Sequence, residues 1–233
     1  MVSVAVVADP DRTLQVREIV SKLGRDVAVI FTQDSLTLWE SVRRAWLAGG
    51  HRPYHLVLFD DVQLCGGFWE RAVDFRLAHP DGIVSYFYGS LIRHVGSLEE
   101  GDLEAGFKTM PASAAWPFSP AICLPSYLIR DMVTYADRLT RVYGDIADDV
   151  RIFRYFAKIN GRAHYSLPSL VEYSPPPDLP GRLSRPGRRG RAAWFAGIED
   201  PSLDQGGDPR DSIKPRPAVS PAGGYQSLRE CPK

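Results

Sequence analysis

Two pairs of adjacent carboxylates, Asp60-Asp61 and Asp148-Asp149, are the residues of this chain best suited to chemistry. Like charges side by side repel unless a cation or a hydrogen-bond donor stands between them. A hard divalent cation such as Mg2+ or Mn2+ takes oxygen ligands, commonly one or two carboxylates together with substrate phosphates. Asp60-Asp61 follows Leu56-Val57-Leu58-Phe59, an apolar run of strand length. Ligands of open α/β sheets bind beyond the carboxyl ends of strands. The pair therefore reads either as a metal–diphosphate site or as a helix cap or solvated turn. Asp148-Asp149 stands at or near the start of a predicted helix. There a carboxylate is favoured by the helix dipole and the free amides, or serves as a general base against an acceptor hydroxyl. A third feature is Arg182–Arg191, five arginines in ten residues. It reads as a phosphate-contacting segment or as a solvated loop.

Other chemistries lose support. The chain has no GxxxxGK[ST] phosphate loop, no GxGxxG after its first strand, no HExxH and no GxSxG elbow. Its five histidines (51, 55, 79, 94, 164) have no zinc spacing, and Cys65, Cys123 and Cys231 form no nucleophile pattern. Kinase, metal hydrolase and dinucleotide oxidoreductase readings weaken accordingly. Three scattered cysteines are also no disulfide framework, and a reducing cytoplasm is the expected location. Of the five tryptophans, Trp39 and Trp116 lie beside predicted loops and are candidates to line a cleft.

These residues need elements to position them. Val2–Ala8 predicts a buried first strand, followed by the turn Asp9-Pro10-Asp11 with Asp9 or Asp11 as N-cap. Leu14, Val16, Ile19, Val20 and Leu23 then recur at helical spacing up to Gly24. Val27–Phe31 predicts a second strand. Ser35 or Thr37 caps a helix that runs to Leu47. His55–Phe59 predicts a third strand, Gly67–Ala78 a helix with Phe68, Ala72, Phe75 and Leu77 inward, and Ile83–Tyr88 a fourth strand. That alternation implies a parallel sheet with right-handed crossovers. Beyond it, Pro120–Leu124 and Ala163–Ser166 read as strands, and Ser126–Leu139 and Ile146–Lys158 as helices.

Composition divides the chain. Its 233 residues carry 28 basic and 28 acidic side chains, a formal net charge of zero. Residues 175–233 hold 11 of the 19 prolines and 8 of the 20 glycines, with 10 basic and 7 acidic side chains. The body is thus at −3 and the tail at +3, and the tail's composition reads as loop. Within the tail, Arg191-Ala192-Ala193-Trp194-Phe195 suggests a segment that docks on the body. No apolar run approaches the roughly 18–20 residues of a membrane span, and Met1–Ala8 lacks the basic start of a signal peptide.

In order and spacing, these segments resemble the GT-A glycosyltransferases, in particular small ones of actinobacteria and their phages. Leu56-Val57-Leu58-Phe59-Asp60-Asp61-Val62 resembles the strand-plus-acidic motif of that fold, with Phe59 where some relatives carry an acid. Val4–Arg12 resembles the first strand and the nucleotide-gripping loop, and Asp34 with Trp39 the second-strand loop near the base. Ser85–Gly89 and Ala121–Pro125 resemble the acceptor half. Asp148-Asp149, Asn160-Gly161 and Leu167-Pro168-Ser169-Leu170-Val171-Glu172 are similar to the family's ending, with Tyr173 where relatives often have His.

The resemblance implies a GT-A-like, Rossmann-type α/β fold: a mainly parallel sheet flanked by helices, with a Pro/Gly/Arg-rich C-terminal tail. It covers 1–198, with a nucleotide-sugar half (1–90) and an acceptor half (91–174), before a tail at 199–233. It implies a nucleotide-sugar donor, with UDP the family-based choice, bound by Ala8, Asp9, Arg12, Asp34, Trp39, Asp60 and Arg191. A Mn2+ or Mg2+ ion would sit on Asp60 and Asp61, and Asp149 or Asp148 would act as base in an inverting transfer. The favoured acceptor is a 5-hydroxymethylpyrimidine in double-stranded phage DNA. Alternatives are a protein or envelope acceptor, or an inactive GT-A-like binding module.

Overall fold

The computed structural model describes residues 2–33, 37–89, 98–115, 120–144, 146–174, 192 and 195–197. The chain opens with β1 (Val2–Ala8), a 3-10 turn (Pro10–Arg12), α1 (Thr13–Leu23), β2 (Ala28–Phe31), α2 (Leu38–Leu47) and β3 (Tyr54–Phe59). Then follow β4 (Val62–Leu64), α3 (Phe68–Ala78), β5 (Ile83–Ser85), α4 (Glu100–Ala105), β6 (Phe107–Pro111) and β7 (Ala121–Pro125). The described elements end with α5 (Ser126–Tyr143), α6 (Asp148–Lys158), β8 (Arg162–Ser166) and β9 (Val171–Tyr173).

Seven strands form one sheet in the order β2-β1-β3-β7-β5-β8-β6, and β4 pairs with β9 in a second, two-stranded sheet. In the large sheet β2, β1, β3, β5 and β8 run one way, and β7 and β6 the other. The expected mainly parallel α/β sheet flanked by helices is therefore present. Two strands reverse in it, which the alternation of elements did not disclose.

The central strands explain the layering. Along β1, Val4, Val6 and Ala8 join one apolar cluster and Ala5 and Val7 the other. Along β3, Leu56 and Leu58 face the first and Val57 the second. Helices α1 and α3 cover the first face through Val16, Ile19, Leu23, Phe68 and Ala72. Helices α2, α5 and α6 cover the second through Val42, Ala45, Met132, Ala136, Ile152 and Phe156. A strand buried on both faces is mostly apolar, which is why Val4–Ala8 and Leu56–Phe59 read as continuous runs, while Ser3 and His55 on the paired starts of β1 and β3 bond each other at 2.9 Å.

Two expected core residues are on the surface. Leu14 is 75% exposed and Leu77 53%. At 100° per residue, Leu14 lies 200° from Val16, and Leu77 lies half a turn from Phe68, so each points away from its helix's buried stripe. Conversely Arg76, on α3, is fully buried. It donates through Nη1 to the carbonyls of Gly82 and Cys123, both at 3.2 Å, and lies over the Tyr54 ring. Helix α1 stops at Gly24, whose φ of +60° is strained for any side-chain-bearing residue. Helix α2 starts on a capping box of Thr37 and Glu40, which settles the choice of cap in favour of Thr37.

Candidate functional site

The site is built where β1 and β3 end together. Parallel pairing runs to Val7 opposite Phe59, and the Asp60 amide still donates to the Val7 carbonyl at 3.1 Å. The chain after β1 turns at once. Asp9 caps the 3-10 turn by accepting from the Asp11 amide at 2.9 Å, and Pro10 begins the turn with its preset φ. That turn folds Arg12 back towards β3. The Asp9 amide donates to Asp60 Oδ2 at 2.7 Å, and Arg12 Nη1 lies 3.9 Å from Asp60 Oδ1.

Asp60 is 5% exposed and Arg12 9%. Burial pushes the Asp60 carboxyl up to about 6, because the charged form loses its water. The Asp9 amide and the Arg12 guanidinium oppose the rise, while Asp61 and Asp9 add to it. The carboxylate is thus fixed between two loops rather than free in a solvated turn. Asp61 is half-buried, and its carbonyl accepts from the Ser174 amide at 2.8 Å. That contact follows from the small sheet, in which Val62 pairs with Tyr173. Tyr173 therefore stands beside the acidic pair in register, and its ring meets Phe87 edge-on at 5.1 Å.

The second acidic pair opens the helix that follows α5. The Ser126 amide donates to the Pro53 carbonyl, and Pro125 pairs with Tyr54, so α5 starts at the opposite edge. Its 18 residues span about 27 Å at 1.5 Å per residue, enough to return along β3 to the Asp60 edge. After four intervening residues, α6 begins with Asp148 and Asp149, 5% and 2% exposed. Asp149 Oδ1 accepts from the Val150 amide at 2.8 Å. The polar first turn of α6 is thus held inside the fold.

Sequence reasoning missed what holds it. Trp39, near the start of α2, donates its indole N–H to Asp137 Oδ1 on α5 at 2.8 Å, and Arg43 Nε lies 3.1 Å from Asp137 Oδ2. Arg151 on α6 is fully buried, with its guanidinium 5.1 Å from the Trp39 ring centroid. At 4% exposure, with its N–H engaged, Trp39 is a core residue and offers no face on which a base could stack. The signal for Arg151 was present: a cation on the face of α6 that also carries Tyr155, one turn on. Its partners, 5 to 15 residues back, carry no sequence mark.

The remaining expected residues are placed as follows. Ala8 ends β1, 1% exposed, with its carbonyl accepting from the Thr32 amide at 2.7 Å. Asp9, Arg12, Asp60 and Asp61 are brought together. Asp34, Trp116 and the whole arginine run, Arg191 included, fall outside the described residues. The docking segment shows where it is described. Ala192 bridges Gly89, Phe195 bridges Ser169, and the Ala196 amide donates to the Ser169 carbonyl. The Ala192 amide also donates to both Glu172 oxygens, at 3.1 and 3.0 Å.

Among the described residues no three His, Cys, Asp or Glu side chains converge as a metal cage, and no helix is long and apolar enough to cross a membrane. Two adjacent carboxylates still suit a hard cation that draws its other ligands from a diphosphate.

No protein-family model and no curated protein matches the chain. Among solved structures it is similar to S. aureus TarS 1–349, at 12% identity and a TM-score of 0.41, over 70% of this chain and 57% of that one. For the same TarS segment in complex with UDP-GlcNAc the figures are 10%, 0.44, 76% and 60%. It is also similar to 4-diphosphocytidyl-2C-methyl-D-erythritol synthase of Anaerococcus prevotii, at 10% identity and 0.34, over 66% of this chain and 84% of that one. The chain thus spans 57–60% of the length of the TarS structures.

Proposed function

We propose that the chain is a glycosyltransferase that moves a sugar from a nucleoside-diphosphate donor, a UDP-sugar, to an acceptor hydroxyl. One observation carries the reading. Asp60, buried at the end of β3, is clamped to the Asp9–Arg12 turn after β1, with Asp61 half-buried beside it, and α6 opens on a second acidic pair, Asp148 and Asp149.

The chemistry assigns the roles. A departing nucleoside diphosphate needs its growing charge met. Arg12 is a cation already at the site, and guanidinium suits phosphate. Asp60 and Asp61 are the residues that would hold Mg2+ or Mn2+, which supplies Lewis-acid neutralisation of the leaving group when bound. Asp60 also fixes the Asp9 turn, so its loss would disturb the donor loop as well. Asp149 or Asp148 would take the proton from the acceptor hydroxyl as it attacks. One direct displacement of this kind inverts the anomeric centre.

For the acceptor, the five-arginine run favours a 5-hydroxymethylpyrimidine in double-stranded DNA. The test is a donor panel (UDP-glucose, UDP-galactose, UDP-N-acetylglucosamine) with Mn2+, read by thermal shift and UDP release. Acceptors are plain duplex, hydroxymethylated duplex, and protein and envelope fractions. Donor binding and turnover that fall at least tenfold in Asp61→Ala are expected. If no donor shifts melting and Asp61→Ala changes nothing, the enzyme reading fails and the inactive binding module stands. Turnover on hydroxymethylated duplex alone supports the DNA acceptor. Turnover on another acceptor replaces it.

A further inference from the structure

Arg151 sits where physical chemistry disfavours it. It is the fourth residue of α6, in the positive first turn, where a cation opposes the helix dipole. It is also fully buried, and a guanidinium removed from water loses several kcal/mol of solvation unless it is closely bonded. What it bonds indicates why it is there. Nε donates to the Ile146 carbonyl at 3.0 Å, Nη1 donates to the Ala136 carbonyl at 3.2 Å, and Nη1 also contacts Thr140 Oγ1. Thr140 in turn donates to the Ala136 carbonyl at 3.2 Å. The flat face lies over Trp39, which Asp137 holds from α5.

Four pieces of chain therefore meet on one side chain. They are the second half of α5, the turn between α5 and α6, the first turn of α6, and the start of α2. The fork, carried by α6, is joined by directed hydrogen bonds to the first two, so the turn cannot shift without breaking one. The residues carried by that turn are Asp148 and Asp149. Asp148 is three positions before Arg151 and so shares its face of the helix.

We propose that Arg151 is a positioning residue that fixes the α5–α6 turn, and through it holds the Asp148-Asp149 pair in place against the acceptor. This rests on reading that pair as the base of the transfer. A general base contributes about 10²- to 10⁴-fold, and an error of about 1 Å in placement forfeits about 10²-fold of rate. The donor loop on β1 and β3, with Asp9, Arg12, Asp60 and Asp61, makes none of the contacts named above. The expected signature is thus a split: turnover falls while donor affinity holds.

The test uses the full chain with Arg151→Lys and Thr140→Val, both milder than removal of the side chain, which risks unfolding. Lysine keeps the charge but cannot reach Ile146 and Ala136 as a fork. UDP affinity is read by calorimetry, turnover by hydrolysis of each UDP-sugar of the panel, and order in the turn by hydrogen exchange. Arg151→Lys is expected to lower turnover about 10- to 100-fold, to leave UDP affinity within about twofold, and to speed exchange of the Asp148–Val150 amides while those of β1 stay unchanged. Thr140→Val is expected to show the same pattern at several-fold. Wild-type turnover in a folded Arg151→Lys overturns the proposal. So does an equal loss of UDP affinity and turnover, or unchanged exchange in the turn. Asp148→Asn and Asp149→Asn run in parallel. If both keep full turnover, the base reading itself has failed, an outcome distinct from failure of Arg151→Lys alone.

Discussion

Asp60, 5% exposed beside Asp61, gains its charge only near pH 6, whereas the same carboxyl in an unfolded chain titrates near 4. The folded value is the higher of the two. Its favourable contribution is therefore complete below about pH 4 and is lost as pH rises through about 6. An ionised Asp60 strains the fold at the pH where the proposed chemistry needs it. Asp60→Asn removes that charge and keeps an oxygen for the Asp9 amide. The variant is expected to gain stability relative to wild type between pH 4.5 and pH 8, by about 2 kcal/mol. Denaturant melts at the two values, in a chelator, check this. An equal offset at both would show that the carboxyl is not raised. Donor binding should weaken in the same variant, because Arg12 loses its anionic partner and the acidic pair loses a carboxylate.

The last strand pair and the docked segment belong to the scale of elements. His164 on β8 meets Thr109 on β6, Nδ1 to Oγ1 at 2.8 Å, with the His79 ring 4.8 Å away. Burial first, then His79, Arg76 and Arg162, push His164 down to about 4. A depressed imidazole contributes its full stability above about pH 6.5 and loses it as pH falls towards 4. His164→Gln should flatten the fall in melting temperature between pH 7 and pH 4.5; an unchanged slope would place the acid sensitivity elsewhere. Glu172 acts on the other element, as acceptor for the Ala192 amide. Glu172→Ala should speed hydrogen exchange at Ala192 and Ala196 while leaving β3 unchanged. These elements also mark what the sequence discloses. β1 and β3 are legible because burial on both faces demands mostly apolar residues. β6 (Phe107–Pro111) is not, because an edge strand of mixed polarity ending in Pro carries no period. The first acidic pair is legible from its strand. Its Arg12 clamp rests on the family resemblance, and the Trp39–Asp137 bond spans 98 positions that no local pattern connects.

At the scale of the whole molecule, the question is how much chain the fold uses. The large sheet closes at β8 and the small one at β9, which ends at Tyr173. The apolar face covered by α1 and α3 nevertheless takes in Ala192, Phe195 and Ala196. Phe195 sits beside Gly197, which in turn approaches Cys65 at the end of β4. A chain cut after Ser174 therefore loses a packed aromatic and the partner of Glu172. Burying most of a Phe side chain is worth about 1.5–3 kcal/mol. A protein of this size shifts by about 2–4 °C per kcal/mol. Truncation after Ser174 is expected to lower the melting temperature by roughly 5 °C. Truncation after Ile198, which keeps every described contact, should leave it within about 2 °C. The same pair tests the arginine run together with the packed segment. The arginine run lies wholly before Ile198, so the longer fragment keeps it and the shorter does not. If UDP binding survives both cuts, β1 and β3 suffice for the donor; if it fails only after Ser174, residues 175–198 contribute to donor binding as well as to the core.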